Sequence, residues 1–175
     1  MKSGVAATLA LACLVFGIGV GYAAKEKPPG VELFRGKPSK EAGLAALHQA
    51  ESLAGEGSWE LLGVARVYYL AGEKDKAQAL MERALRKPKA SDWQRVGQMY
   101  AEAGENAKAE EAFLKALAAD PKDDTGRSEV GSWYIRNGQR DKGEELYAQA
   151  FARNPSELWH YVRAGEAYLG VPPGH

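Results

Sequence analysis

A chain of 175 residues can build one compact domain or one short repeat array, and its 23 basic and 23 acidic side chains leave no net charge to draw it onto a polyanion. No block of like charge lies outside residues 25–40, so nucleic acid is not an expected partner. The one cysteine, Cys13, falls in an apolar run, so whatever folds after it has no thiol and must be stable without a disulfide.

The amino terminus begins with Lys2, continues through the uncharged run "VAATLALACLVFGIGV" from Val5 to Val20, and closes on the small residues Gly21 and Ala23. A basic start, an apolar core and a small-residue exit make a secretory signal peptide, with cleavage expected between Ala23 and Ala24. Counted through Ala24, the uncharged stretch also reaches about twenty residues, enough to span a bilayer at roughly 1.5 Å per residue. Residues 1–23 are therefore expected to be either a signal peptide or an N-terminal membrane anchor, and Gly17 and Gly21 have the spacing that lets membrane helices pack closely. "LALAC" faintly resembles a lipidation site at Cys13, although the residues after Cys13 are as apolar as those before it. On any of these readings the rest of the chain leaves the cytoplasm, for the periplasm or a membrane face turned towards it. Residues 24–38, with Pro28, Pro29, Gly30 and Pro38, read as a basic linker whose one apolar cluster is "VELF", Val31 to Phe34.

From Ser39 onward the chain repeats itself. Tyr68, Tyr100 and Tyr134 each stand four residues before a glycine, Gly72, Gly104 or Gly138, and Ala77, Ala109 and Gly143 follow five residues after it. Met81, Phe113 and Tyr147 come next, then Ala84, Ala116 and Ala150, with Pro121 and Pro155 behind the second and third copies. Self-similarity at this period means stacked supersecondary units rather than one globular core. Each unit holds two apolar-periodic stretches separated by the glycine, which predicts an antiparallel pair of helices. Gly97 and Ala109 leave no bulk where the two helices cross, so Val96, Tyr100 and Phe113 are expected to fill in beside a close approach.

The run Trp93, Gly97, Tyr100, Gly104, Ala109, Phe113, Ala116 and Pro121 resembles a nearly complete tetratricopeptide repeat (TPR). The resemblance implies an all-α solenoid of stacked helix hairpins coiled into a right-handed superhelix. Three repeats are expected at residues 58–89, 90–123 and 124–157, inside a domain spanning 39–171 with a tail at 172–175. The first copy has Leu61 for the tryptophan and lacks two residues before Trp93, so its junction with the second should be tighter. The third carries Arg127 for the tryptophan, and Gly143 in place of alanine should cost its helix about 0.5–1 kcal/mol. Half repeats flank the array. Residues 39–54 place Gly43, Leu47 and Ala50 as a second helix does, and residues 155–170 place Gly165 and Tyr168 as a first helix does. The latter is expected to close the stack with a more polar outer side.

Catalytic chemistry finds little support. His48, His160 and His175 have no metal-ligand spacing, no phosphate loop or nucleophile elbow is present, and the paired carboxylates Glu110, Glu111, Glu144 and Glu145 belong to soluble helix surfaces. No enzyme, cofactor or metal is expected. The resemblance instead implies partner binding on the concave face, which first helices line. By register the groove should hold Trp59, Leu62, Arg66, Tyr69 and Leu70 from the first copy, and Gln94, Gln98 and Glu102 from the second. Ser128, Ser132, Ile135 and Arg136 should follow from the third, with Trp159, Val162 and Glu166 from the last helix. An apolar, aromatic end and a hydrogen-bonding middle suit a peptide segment or protein partner. A permanently anchored subunit of a larger complex, or an assembly factor for an envelope machine, stands as the alternative.

Overall fold

The computed structural model describes residues 29–173, so the expected signal peptide or anchor lies outside the described residues. Among the described residues the chain is all-helical: after a 3₁₀ turn at Val31–Leu33 come α1 (Ser39–Ala54), α2 (Ser58–Leu70), α3 (Lys74–Ala84), α4 (Ala90–Glu102), α5 (Asn106–Ala119), α6 (Asp124–Arg136), α7 (Arg140–Arg153) and α8 (Leu158–Leu169). No described helix is long and apolar enough to cross a membrane. The solenoid expected from the repeat is the fold observed. Hairpins α2–α3, α4–α5 and α6–α7 form its body, α1 packs on α2, and α8 packs on α6.

The three hairpins turn by one device. Gly72, Gly104 and Gly138 sit at φ of 85°, 73° and 77°, a left-handed conformation that side chains disfavour. The residue after each glycine then donates its N–H to the carbonyl of the repeat tyrosine, Glu73 to Tyr68, Glu105 to Tyr100 and Gln139 to Tyr134, all at 2.9 Å. This closes the last turn of the first helix and aims the chain back along it.

Close approach follows from small residues, as the register implied. A β-carbon added at Gly97 would stand 2.5 Å from the Phe113 ring, so the aromatic of α5 occupies the notch that the glycine of α4 leaves open. At Gly143 an added β-carbon would meet the Gly131 carbonyl at 2.6 Å and Ile135 at 2.5 Å. The α6 and α7 backbones touch there, which is why this copy carries glycine where the others carry alanine.

Stacking between repeats is uneven. α2 and α4 pack closely, whereas the α4 and α6 backbones stand further apart and are bridged by Gln94 to Glu129 at 2.6 Å, with α5 also meeting α6. The apolar interior divides accordingly. One cluster joins α1 to α4 around Leu61, Tyr68, Leu80 and Met99, and a second holds Ala109, Phe113, Val130, Trp133 and Tyr134. Where tryptophan gives way to Arg127, the guanidinium is buried yet satisfied, donating to the Pro121 carbonyl at 2.6 Å and to Asp124 at 2.9 Å.

Polar ties reinforce the tight junction. Glu105 accepts from the Tyr69 hydroxyl at 2.7 Å, Lys74 at 2.8 Å and Lys108 at 2.6 Å. The lysines, with Tyr69, pull its carboxyl down to about 2, from an ordinary value of 4.5. A depressed carboxylate contributes stability that is present above its unfolded value and lost as pH falls through its folded one. Glu105→Gln should therefore lower the thermal midpoint near neutrality, with the difference from wild type shrinking between pH 5 and 2. A constant difference across that window would show that charge plays no part in the tie.

One expectation is corrected. The outer side of α8 is not polar: Leu158, Trp159, Tyr161 and Leu169 are all more than half exposed. α8 ends the described stack without covering it.

Candidate functional site

First helices α2, α4, α6 and α8 line the concave side, and the gap between α4 and α6 deepens it into a cavity of about 650 Å³. Its floor includes Phe113 of α5 and Trp133 of α6, ring centroids 5.2 Å apart. Trp133 lines this cavity although it is only 5% exposed.

Polar side chains make the walls. On one side Arg66 pairs with Glu102 at 2.5 Å. Opposite, Glu129 accepts from Gln94 at 2.6 Å and pairs with Arg163 at 3.4 Å. Burial pushes the Glu129 carboxyl above its ordinary value, with the Arg163 charge opposing. Arg136 has no ion-pair partner within bonding distance among the described residues, although the charge of Glu166 is felt there, and burial lowers its pKa. Three further donors bordering the cavity find no acceptor: Trp133 Nε1, Arg163 Nη1 and Arg95 Nε. Four arginines face three glutamates, and the surplus is in donors. Arginine donors of this kind pair best with oxygens, whether carbonyl or carboxylate.

Of the fifteen positions chosen by register, Leu62, Arg66, Gln94, Gln98, Glu102, Ser132, Arg136 and Glu166 border this cavity. Leu62, Gln94 and Ser132 do so while almost wholly buried, so they shape its wall more than they offer free contacts. Ser132 is occupied by the Tyr147 hydroxyl at 2.6 Å. Tyr69 and Ser128 stand elsewhere: Tyr69 is turned to Glu105, and the Ser128 hydroxyl bonds the Thr125 carbonyl at 2.8 Å. Trp59 and Trp159 are exposed outside the cavity, and Arg95 covers the Trp59 ring. Ile135 leans over Gly143, Leu70 is exposed and Val162 is half-buried.

Sequence reasoning missed one register line. Gly63, Arg95, Glu129 and Arg163 hold the same position on successive first helices, and all four face the cavity. The alternation of Arg, Glu and Arg at matching positions was the available signal. No cluster of metal-ligating side chains occurs among the described residues.

Residues 93–123 match the family model described as tetratricopeptide repeat. The crystal structure of MamA, a tetratricopeptide-repeat protein, superimposes with a TM-score of 0.52 at 20% sequence identity, covering 75% of this chain and 80% of that one. No curated protein matches the chain. Residues 93–123 thus carry a tetratricopeptide repeat, and the described residues share the helical-hairpin fold of the MamA structure.

Proposed function

We propose that this chain is an exported, non-enzymatic scaffold that holds an extended segment of a protein partner in its concave groove, in the periplasm or on a membrane face turned towards it. The observation that carries the reading is the gathering of Arg66, Arg95, Arg136 and Arg163 around one cavity, with Arg136 lacking an ion-pair partner among the described residues. An extended peptide presents carbonyl oxygens along its length and needs no net charge to be held this way, and an acidic side chain would add a pairing for Arg136. Export rests on the basic, apolar and small-residue order of residues 1–23.

Two measurements test the reading. Purified protein on a peptide array should retain extended segments, and Arg136→Ala should weaken the best binder about ten- to a hundredfold, the worth of one charge-assisted hydrogen bond. Trp133→Phe, which keeps the ring and removes the donor, should weaken it less. Binders indifferent to both substitutions would place the partner on another face. Intact mass of the native protein addresses export, because a mature start at Ala24 separates a cleaved leader from a retained anchor.

A further inference from the structure

We propose that copies of this protein join head to tail, α8 of one against α1 of the next, the two helices completing a fourth hairpin that neither copy can form alone.

The two end helices are complementary halves of the repeat. α8 sits as a first helix: its Tyr168 hydroxyl bonds Glu144 at 2.5 Å, repeating the bond from Tyr134 to Glu110 one repeat earlier. α1 sits as a second helix: Lys40 reaches Glu73 at 3.8 Å, as Lys74 reaches Glu105 at 2.8 Å. α8 therefore wants a second helix beside it, and α1 wants a first.

The contacts that bind an internal hairpin show what each end still offers. In α6–α7 the Tyr147 ring lies against Gly131, and Ile135 lies over Gly143. The matching α8 positions are Gly165, with nothing within 4 Å of an added β-carbon, and Leu169, 80% exposed. The matching α1 positions are Leu47, where Tyr147 and Phe113 stand, and Gly43, again with nothing within 4 Å. A large side chain on the first helix meets a glycine on the second in α6–α7, whereas α4–α5 pairs Ala101 with Ala109. Leu169 opposite Gly43 is the α6–α7 kind. Docked in register, Leu47 of one copy would enter the Gly165 notch of another while Leu169 covers Gly43.

Among the described residues, the segments flanking α1 and α8 do not take these places. Before α1 the described residues 29–38 form only the 3₁₀ turn at Val31–Leu33. After α8 the chain turns through Pro172 towards the groove, where Pro173 borders the cavity. A joint of this kind is heterologous, so it propagates rather than closing at two copies.

The test uses the full chain in a Cys13→Ser background. A Gly43→Cys chain mixed with a Leu169→Cys chain should form a disulfide-linked dimer under mild oxidation, because the analogous contact at Gly143 brings the side chains within disulfide reach. Each chain alone should form far less, and a chain carrying both substitutions should give a ladder. Gly165→Leu meets open space in the single copy, so its far-ultraviolet circular dichroism should stay unchanged and its thermal midpoint hold or rise slightly from helix propensity, while the cross-linked yield falls at least about tenfold. Equal cross-linking of Leu169→Cys with itself, no cross-linking at all, or a yield indifferent to Gly165→Leu would each overturn the proposal. The last result would assign any association to residues outside the joint.

Discussion

Replacing Phe113 with alanine is expected to lower the free energy of unfolding by about 3–5 kcal/mol, the usual cost of removing a fully packed aromatic ring. Phe113 is 3% exposed, fills the Gly97 notch within its own hairpin and meets Trp133 of the next. Its loss thus loosens one repeat internally and uncouples it from its neighbour. In a solenoid, where stability is a sum of repeats and nearest-neighbour interfaces, urea unfolding followed by circular dichroism should broaden or split, with α6 to α8 separating from α1 to α4. A double-mutant cycle sharpens the assignment. Gly97→Ala alone should cost about 1–3 kcal/mol, because its β-carbon would press on the ring. With Phe113→Ala already present it should be neutral or favourable, since only the helix preference for alanine remains. Additive effects would mean that the ring does not define the notch.

Opposite signs are expected for one substitution at two matching positions. Gly143→Ala should destabilise by about 1–3 kcal/mol despite alanine's better helix propensity, because the new methyl group would press on the Gly131 carbonyl, and backbone cannot swing aside. Gly43→Ala meets nothing within 4 Å and should gain up to about 1 kcal/mol from propensity alone. Thermal or urea unfolding of dilute protein reads both. Stabilisation at Gly143 would show that α6 and α7 can part there at little cost, and that glycine is not required by the crossing.

These two glycines show where sequence reading stops. Their register was legible, since glycine, tyrosine and small residues recur at fixed spacing, and so was a helix-propensity cost at Gly143. That Gly143 is held by a backbone contact and Gly43 by none depends on which helix lies opposite, and pattern alone does not carry that. The groove divides in the same way. Arg66, Gln98, Ser132 and Glu166 share one register position, and it borders the cavity on all four first helices. Tyr69 and Ser128 do not border the cavity, their hydroxyls being held by Glu105 and by the Thr125 carbonyl. Glu129 and Arg163 were overlooked because their pairing joins α6 to α8 across the groove, which depends on how the repeats stack.

The sequence by itself determined the hairpins, their turns and the order of the stack, because each rests on contacts local in the chain: a left-handed glycine after a helix, an aromatic meeting a small residue about sixteen positions away, a proline behind the second helix. Only the tertiary structure decided how far each repeat stands from the next, which donors in the groove remain unspent and which helix faces end uncovered. Those follow from summed packing between elements distant in sequence, where a shift of one helix changes every neighbour's exposure at once.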